Sequence, residues 1–434
     1  MADGPGAASR NSAPGAPLAC SSSLMRRIAL IALTALAAAP ATAAAQDALT
    51  GNLTRNMRAA GAHSGAYVVN LTDAQTVFRW REKRARMLAS NTKLFTTAAA
   101  LARFGTEGTL GTEVRGVGAL DEEGVWRGDL YLRGGGDPTF GTRSFTRRSY
   151  GSGATVEDLA ALLEEAGIAR VAGRVYGDES RFDSLRGGPE SGYSTSIWVG
   201  PLSALSFNRG LGSETGGSFQ TNPPLFAAAR LDSALEARGV RVRQKPRAGV
   251  APGDAEVLAS VDSPPMGTLI RLTNKASDNY FAEMLLKGIA LQARGKGTTR
   301  AGAQLAAGYA RRLGSGARLA DGSGLSRGDR ASPRQVVTLL SEMLALDESD
   351  YGQVFFDSLP VAGRDGTLAT RMRGGPARSR CRAKTGTLSN VSALSGYCIA
   401  RSGDVYAYSI LMNYVYPPGA RVLQDSMLQA IAAN

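Results

Sequence analysis

Three closely spaced strand patterns near the C-terminus, at about 380–388, 392–400 and 405–414, constrain this 434-residue chain more than any other feature. They are rich in β-branched, aromatic and small apolar residues and are parted only by short polar turns, so they read as an antiparallel meander. Cys381 and Cys398 stand symmetrically about Ser389-Asn390. If that dipeptide is the hairpin turn, the cysteines face each other and an oxidising compartment allows a cross-strand disulfide; the competing reading is two separate buried thiols. Two more strand patterns, about 65–71 and 76–80, flank the turn Thr72-Asp73-Ala74-Gln75 at the other end of the chain. Between them and the meander, helical periodicity appears at about 91–104, 265–274, 278–290, 300–313 and 333–346, the last with Ser332 as its cap and Pro333 in first position. A final helix is expected over 420–433, with Arg421 and Asp425 on its wet side. Strands at both ends with helices between them imply one sheet built from both termini. The glycine-rich stretch 110–254, with short alternating runs and helices near 156–166 and 224–237, then becomes an insertion. The enclosing body is expected to comprise 46–109 and 255–434.

The first 45 residues read as a leader. Arg26 and Arg27 precede the apolar run Ile28 to Ala39, and the small residues Ala41 to Ala45 suit cleavage before Gln46, the pattern of a secretory signal peptide opening at Met25. The run is shorter than the ~20 residues a membrane span needs. An exported protein, periplasmic or otherwise extracytoplasmic and without a stable span, is expected. Formal charge is +13 for the whole chain and +11 once the leader, with three arginines and one aspartate, is set aside. Export argues against nucleic acid as the partner of this basic surface and favours acidic cell-wall polymer.

Basic residues are divided unevenly, 43 arginines to 7 lysines. That makes each lysine informative, because lysine alone of the two can lose its proton and act as a base. Ser90-Asn91-Thr92-Lys93 is the only S-x-x-K, and Lys384-Thr385-Gly386 the only K-T-G. Ser277-Asp278-Asn279 shares the S-x-N pattern with Ser206-Phe207-Asn208 and Ser9-Arg10-Asn11, but only Ser277 joins two helical patterns. On a helix Ser90 and Lys93 share a face, with Ser90 expected as the N-cap. A serine hydroxyl is a weak nucleophile until a base takes its proton, and a lysine depressed by burial and a nearby cation such as Lys384 can be that base. Histidine catalysis is nearly excluded: the one histidine, His63, falls in a loop before the first strand. One histidine and two cysteines beyond the leader form no metal cluster, and no cofactor is implied. Taken alone, in chain order, Ser90 reads as a plain cap, Ser277 as a helix-start cap and Lys384-Thr385-Gly386 as a solvated strand. Their occurrence in this order reverses those odds.

The chain resembles the class C low-molecular-mass penicillin-binding proteins, the penicillin-binding protein 4 family of D-alanyl-D-alanine carboxypeptidases and endopeptidases. The resemblance runs over roughly 50–430. Besides the three motifs it rests on Ala89 to Phe95, Gly128 to Pro138, Leu205 to Asn208, Ser277 to Lys287, Asp321 to Arg327 and Gly386 to Gly396. It implies an α/β (α+β) fold of the serine β-lactamase/transpeptidase type: an antiparallel sheet flanked by helices, an all-helical subdomain and a mainly β insertion of one or two domains. The long separation of Ser277 from Ser90 agrees with that insertion. By resemblance, Ser90 is the acylated nucleophile, Lys93 the general base, Ser277 a proton relay and Asn279 a substrate-positioning amide. Lys384, Thr385, Gly386 and Thr387 would bind substrate, Lys384, Thr385 and Thr387 taking the terminal D-alanine carboxylate, with the Ser90 and Thr387 N–H groups as the oxyanion hole. Peptidoglycan stem peptides are the implied substrate and β-lactams the covalent inhibitors. The rival readings are a serine β-lactamase and a non-catalytic wall-binding protein.

Overall fold

The computed structural model describes residues 39–346 and 350–434, with side chains from residue 46 onward. The leader therefore lies almost wholly outside the described residues. A helix, Ala39–Ala59, that the sequence pattern did not announce leads into the first strand and spans the expected cleavage point.

One sheet is built from both ends of the chain. Its strands run in the order Cys381–Leu388, Val391–Ile399, Val405–Asn413, Ser64–Asn70, Gln75–Trp80, and every neighbouring pair is antiparallel. Ser389 and Asn390 form the hairpin turn, because Leu388 pairs with Val391 and Cys381 with Cys398. The two cysteines are joined, with Cα atoms 4.0 Å apart. Val405–Asn413 is buried along its whole length, since helices cover both faces of the sheet. Alternate side chains serve the two layers, as the two-residue period of a strand requires. Ala407 and Leu411 join Phe95, Leu339 and Leu340 on one side, whereas Tyr408, Ile410 and Met412 join Leu53, Met57, Met427 and Leu428 on the other. The first and last helices of the described chain, Ala39–Ala59 and Pro417–Ala433, thus share one face.

The middle of the chain builds a second five-stranded sheet in the order Arg247–Ala248, Val175–Asp178, Asp129–Gly134, Gly111–Val117, Glu256–Asp262. The first three strands of that order are mutually parallel, and the last two join by antiparallel pairs. Parallel neighbours need crossover segments, and helices Val156–Glu165 and Pro223–Ala237 supply them, closing a core with Leu130, Leu132 and Val175. Glu256–Asp262 falls beyond the boundary expected at 254, yet it pairs with Gly111–Val117. The pairing carries the inserted sheet through Asp262.

Candidate active site

Ser90 is not the N-cap that the sequence pattern suggested. It sits inside a 3-10 turn, Ala89–Asn91, that feeds the helix Thr92–Phe104, and the capping position falls to Asn91, whose side chain makes no cap bond. The reason is visible in the partners. The Asn91 amide donates to the Lys384 carbonyl at 2.8 Å and accepts from Ser395 Oγ at 2.7 Å, stitching the turn to the edge strand. The turn starts from Ala89 at φ +46°, and it leaves the Ser90 hydroxyl to Lys93 rather than to the backbone.

Lys93 is fully buried on the first turn of its helix and gives its three N–H bonds to Ser90 Oγ (3.0 Å), Asn279 Oδ1 (2.7 Å) and the Ser323 carbonyl (2.6 Å). An ammonium has three donors, so the group is held in one orientation beside the serine. Burial pushes Lys93 down to about 8, against the opposing pull of Asp321, Asp278, Glu283 and Asp329. About a tenth of it is then neutral at pH 7.

Ser277 and Asn279 occupy the connection between helices Met266–Lys275 and Asn279–Arg294, with Ser277 at φ +58°. Asp278 caps the second helix by accepting from Phe281 N, and it also binds Arg209 at 2.5 and 2.9 Å. Asn279 Nδ2 donates to the Trp198 carbonyl at 3.1 Å. Two loops of the inserted region thus brace this turn. Lys384 donates to Ser277 Oγ at 2.7 Å and to the Thr385 carbonyl at 3.0 Å. Burial, then the Lys93 charge, holds it well below the usual lysine range. The three signatures therefore meet in one hydrogen-bonded cluster.

Lys384 to Thr387 lie on the edge strand of the sheet. Gly386 runs so near the Ser90 turn that a Cβ there would stand 3.1 Å from Ser90 N. Thr385 is half-buried and hydrogen-bonded to Thr367 Oγ1 at 2.8 Å; Thr387 is exposed. Arg421, expected merely to face solvent, is exposed but also donates to Thr387 Oγ1 at 3.2 Å.

The sequence reading assigned no role to the loop behind Lys93. Glu283, fully buried, accepts the Gly322 and Ser323 N–H groups on Oε1 at 3.0 and 2.8 Å. It thereby anchors the backbone just before the Ser323 carbonyl that faces Lys93. Asp321 accepts from Gly324 N and Ser326 N, both at 2.7 Å, to shape the same loop. Gly324, at φ +87°, passes so close to the Ser90 turn that a Cβ would lie 1.9 Å from the Ala89 carbonyl oxygen. Burial, then Asp321, raises Glu283 to about 8. The string Asp321 to Arg327 and the acid six residues after Ser277 were the available signals.

A half-buried serine bonded to a buried lysine, facing the edge of a five-stranded antiparallel sheet with helices on both faces, places the chain among the serine transpeptidase-like folds. The structure of penicillin binding protein 4 from Haemophilus influenzae matches with a TM-score of 0.72 at 20% identity, over 87% of this chain and 97% of that one. The same protein complexed with a β-lactam matches with a TM-score of 0.68 at 19% identity, over 87% of this chain and 98% of that one. The chain belongs to the D-Ala-D-Ala carboxypeptidase 3 (S13) family, whose model matches residues 46–215 and 214–433. It is 31% identical to the D-alanyl-D-alanine carboxypeptidase of Actinomadura sp. (strain R39), over 93% of this chain and 89% of that protein. It is 30% identical to carboxypeptidase DacB of Mycolicibacterium smegmatis, over 82% and 78% respectively.

Proposed function

We propose that this protein is a serine-type D-alanyl-D-alanine carboxypeptidase acting on peptidoglycan stem peptides through an acyl-enzyme. The observation that carries the reading is the Lys93 ammonium bonded at once to Ser90, Asn279 and Ser323. Lys93, neutral in part at physiological pH, takes the Ser90 proton as Oγ attacks the carbonyl between two terminal D-alanines. The resulting oxyanion is stabilised by the Ser90 and Thr387 N–H groups, fixed dipoles that need no reorganisation. Ser277, in contact with Lys384, passes a proton to the departing D-alanine amine. Water then releases the shortened peptide from Ser90. The substrate carboxylate is met by Thr385 and Thr387, in the field of Lys384 and beside Arg421, while the Gly386 backbone pairs with the extended peptide.

The same site can cleave D-alanyl cross-links, a DD-endopeptidase activity needing no further groups. Penicillin, presenting an activated carbonyl and a carboxylate, acylates Ser90. Family membership favours this reading over a β-lactamase, and the intact signatures favour it over a non-catalytic wall-binding protein. We place the enzyme outside the cytoplasm, exported through the signal pattern in residues 1–45. The catalytic body comprises residues from 46 to about 109 and those following the inserted sheet. Incubation with a stem pentapeptide followed by mass measurement tests the proposal. Loss of one alanine is expected, and an unchanged pentapeptide alongside intact penicillin labelling would refute the carboxypeptidase assignment.

A further inference from the structure

A second cluster of polar groups lies apart from the Ser90 site. It is found where the strand Ser64–Asn70 begins, the strand Val405–Asn413 ends, and Arg86–Met87 pairs with Arg330–Ala331. His63, Arg84, Arg86, Arg330, Asn413 and Tyr414 line a cavity of about 250 Å³ there. Among the described residues no aspartate or glutamate lines it, and Arg84, Arg86 and Arg330 form no ion pair.

Arg86 makes the arrangement unusual. Its side chain is buried, only 4% of the residue being exposed. The guanidinium gives Nε–H to the His63 carbonyl (2.9 Å), Nη1 to the carbonyls of Arg81 (2.9 Å) and Arg84 (2.6 Å), and Nη2 to that of Ser64 (2.8 Å). Gly65 makes room for it, since a Cβ there would stand 2.4 Å from Nη1. Four carbonyls satisfy four of its five N–H groups, but they supply no countercharge. Burial, then the neighbouring Arg81 and Arg84, pushes Arg86 down to about 10. A buried cation without a counter-ion is costly, and here it is held in place by design of the backbone around it. Tyr414 stands over the site at φ +55°, its ring edge-on to His63 with centroids 4.9 Å apart. Asn413 ties the cavity wall to the Met87 backbone through two hydrogen bonds, at 2.8 and 3.2 Å.

We propose that this cavity binds a small oxyanion of the phosphate class. Arg84 and Arg330, from two chain segments, each bring a guanidinium fork that can take two oxygens, and Arg86, its donors largely spent on carbonyls, adds an uncompensated positive charge; together they suit a doubly charged tetrahedral anion better than a single carboxylate. The anion is taken up as free phosphate or presented as a phosphomonoester on a larger molecule.

Isothermal titration and thermal unfolding test this on the intact protein, with inorganic phosphate, phenyl phosphate and acetate at ionic strength matched by sodium chloride. One phosphate is expected to bind per chain and raise Tm, with acetate giving neither effect. Binding of phenyl phosphate as well identifies a phosphomonoester site; binding of phosphate alone identifies a free-anion site. Arg84→Ala and Arg330→Ala alter exposed and half-buried side chains, and each is expected to weaken phosphate at least about tenfold, the loss of one charge-assisted hydrogen bond. Both variants are expected to retain wild-type penicillin acylation, which certifies their fold. Phosphate behaving no differently from chloride or acetate, or undiminished affinity in both variants, would overturn the proposal.

Discussion

Replacing Glu283 by alanine tests whether the loop behind Lys93 serves the nucleophile. The Glu283 carboxyl oxygen Oε1 accepts two buried N–H groups, from Gly322 and Ser323. Each donor left unpaired costs about 1–3 kcal/mol, so Glu283→Ala should lose roughly 2–6 kcal/mol of stability before any cavity cost. The kinetic effect follows from the same bonds. Ser323 offers its carbonyl to Lys93 at 2.6 Å, and a displacement of about 1 Å in a catalytic group can cost on the order of a hundredfold in rate. Glu283→Gln keeps an acceptor oxygen in place and should recover most of both losses. The assay is stopped-flow acylation by a fluorescent penicillin, run beside thermal unfolding. Folded Glu283→Ala acylating at the wild-type rate would refute the reasoning, as would failure of glutamine to restore what alanine removes.

Three other outcomes follow from the structure. Because Lys93 is pushed down to about 8 by burial and acts as a base only when neutral, acylation should rise with pH below that value and level off above it; a pH–rate profile flat from 6 to 9 would contradict the lysine-base role. Gly324→Ala places a methyl 1.9 Å from the Ala89 carbonyl at φ +87°, so it should destabilise the protein by at least about 1–2 kcal/mol from backbone conformation alone and slow acylation, read by unfolding and labelling together. Cys381→Ser with Cys398→Ser removes a link spanning 17 residues and should cost about 3 kcal/mol in denaturant unfolding, with the sheet register preserved.

What could be read from the sequence divides along physical lines. Alternation of side chains and the Ser389-Asn390 turn are local, so the meander and its register were legible. The scarcity of lysine singled out Lys93 and Lys384 before any geometry was known. The local conformation of Ser90 was misread as a cap because the sequence does not reveal that the Asn91 amide is spent on a carbonyl 293 residues away. Lys93 finds one partner in the Ser323 carbonyl, and the Ser277–Asn279 turn finds another in that of Trp198. Main-chain acceptors carry no side-chain signature. Arg209 is similar: its pairing with Asp278 depends on how a loop of the inserted region reaches the helix start. The strand Glu256–Asp262 was overlooked because only Ala259 along it is buried, which leaves little hydrophobic pattern to detect.

The proposed mechanism stands on acylation of Ser90 with Lys93 as its base. Intact-protein mass spectrometry after incubation with penicillin, followed by peptide mapping, tests it most directly. One penicilloyl group per chain is expected, carried on Ser90, absent in Ser90→Ala, and formed about 10²–10⁴-fold more slowly when Lys93 is replaced by methionine. An adduct that persists in folded Ser90→Ala, or maps to another residue, would contradict it.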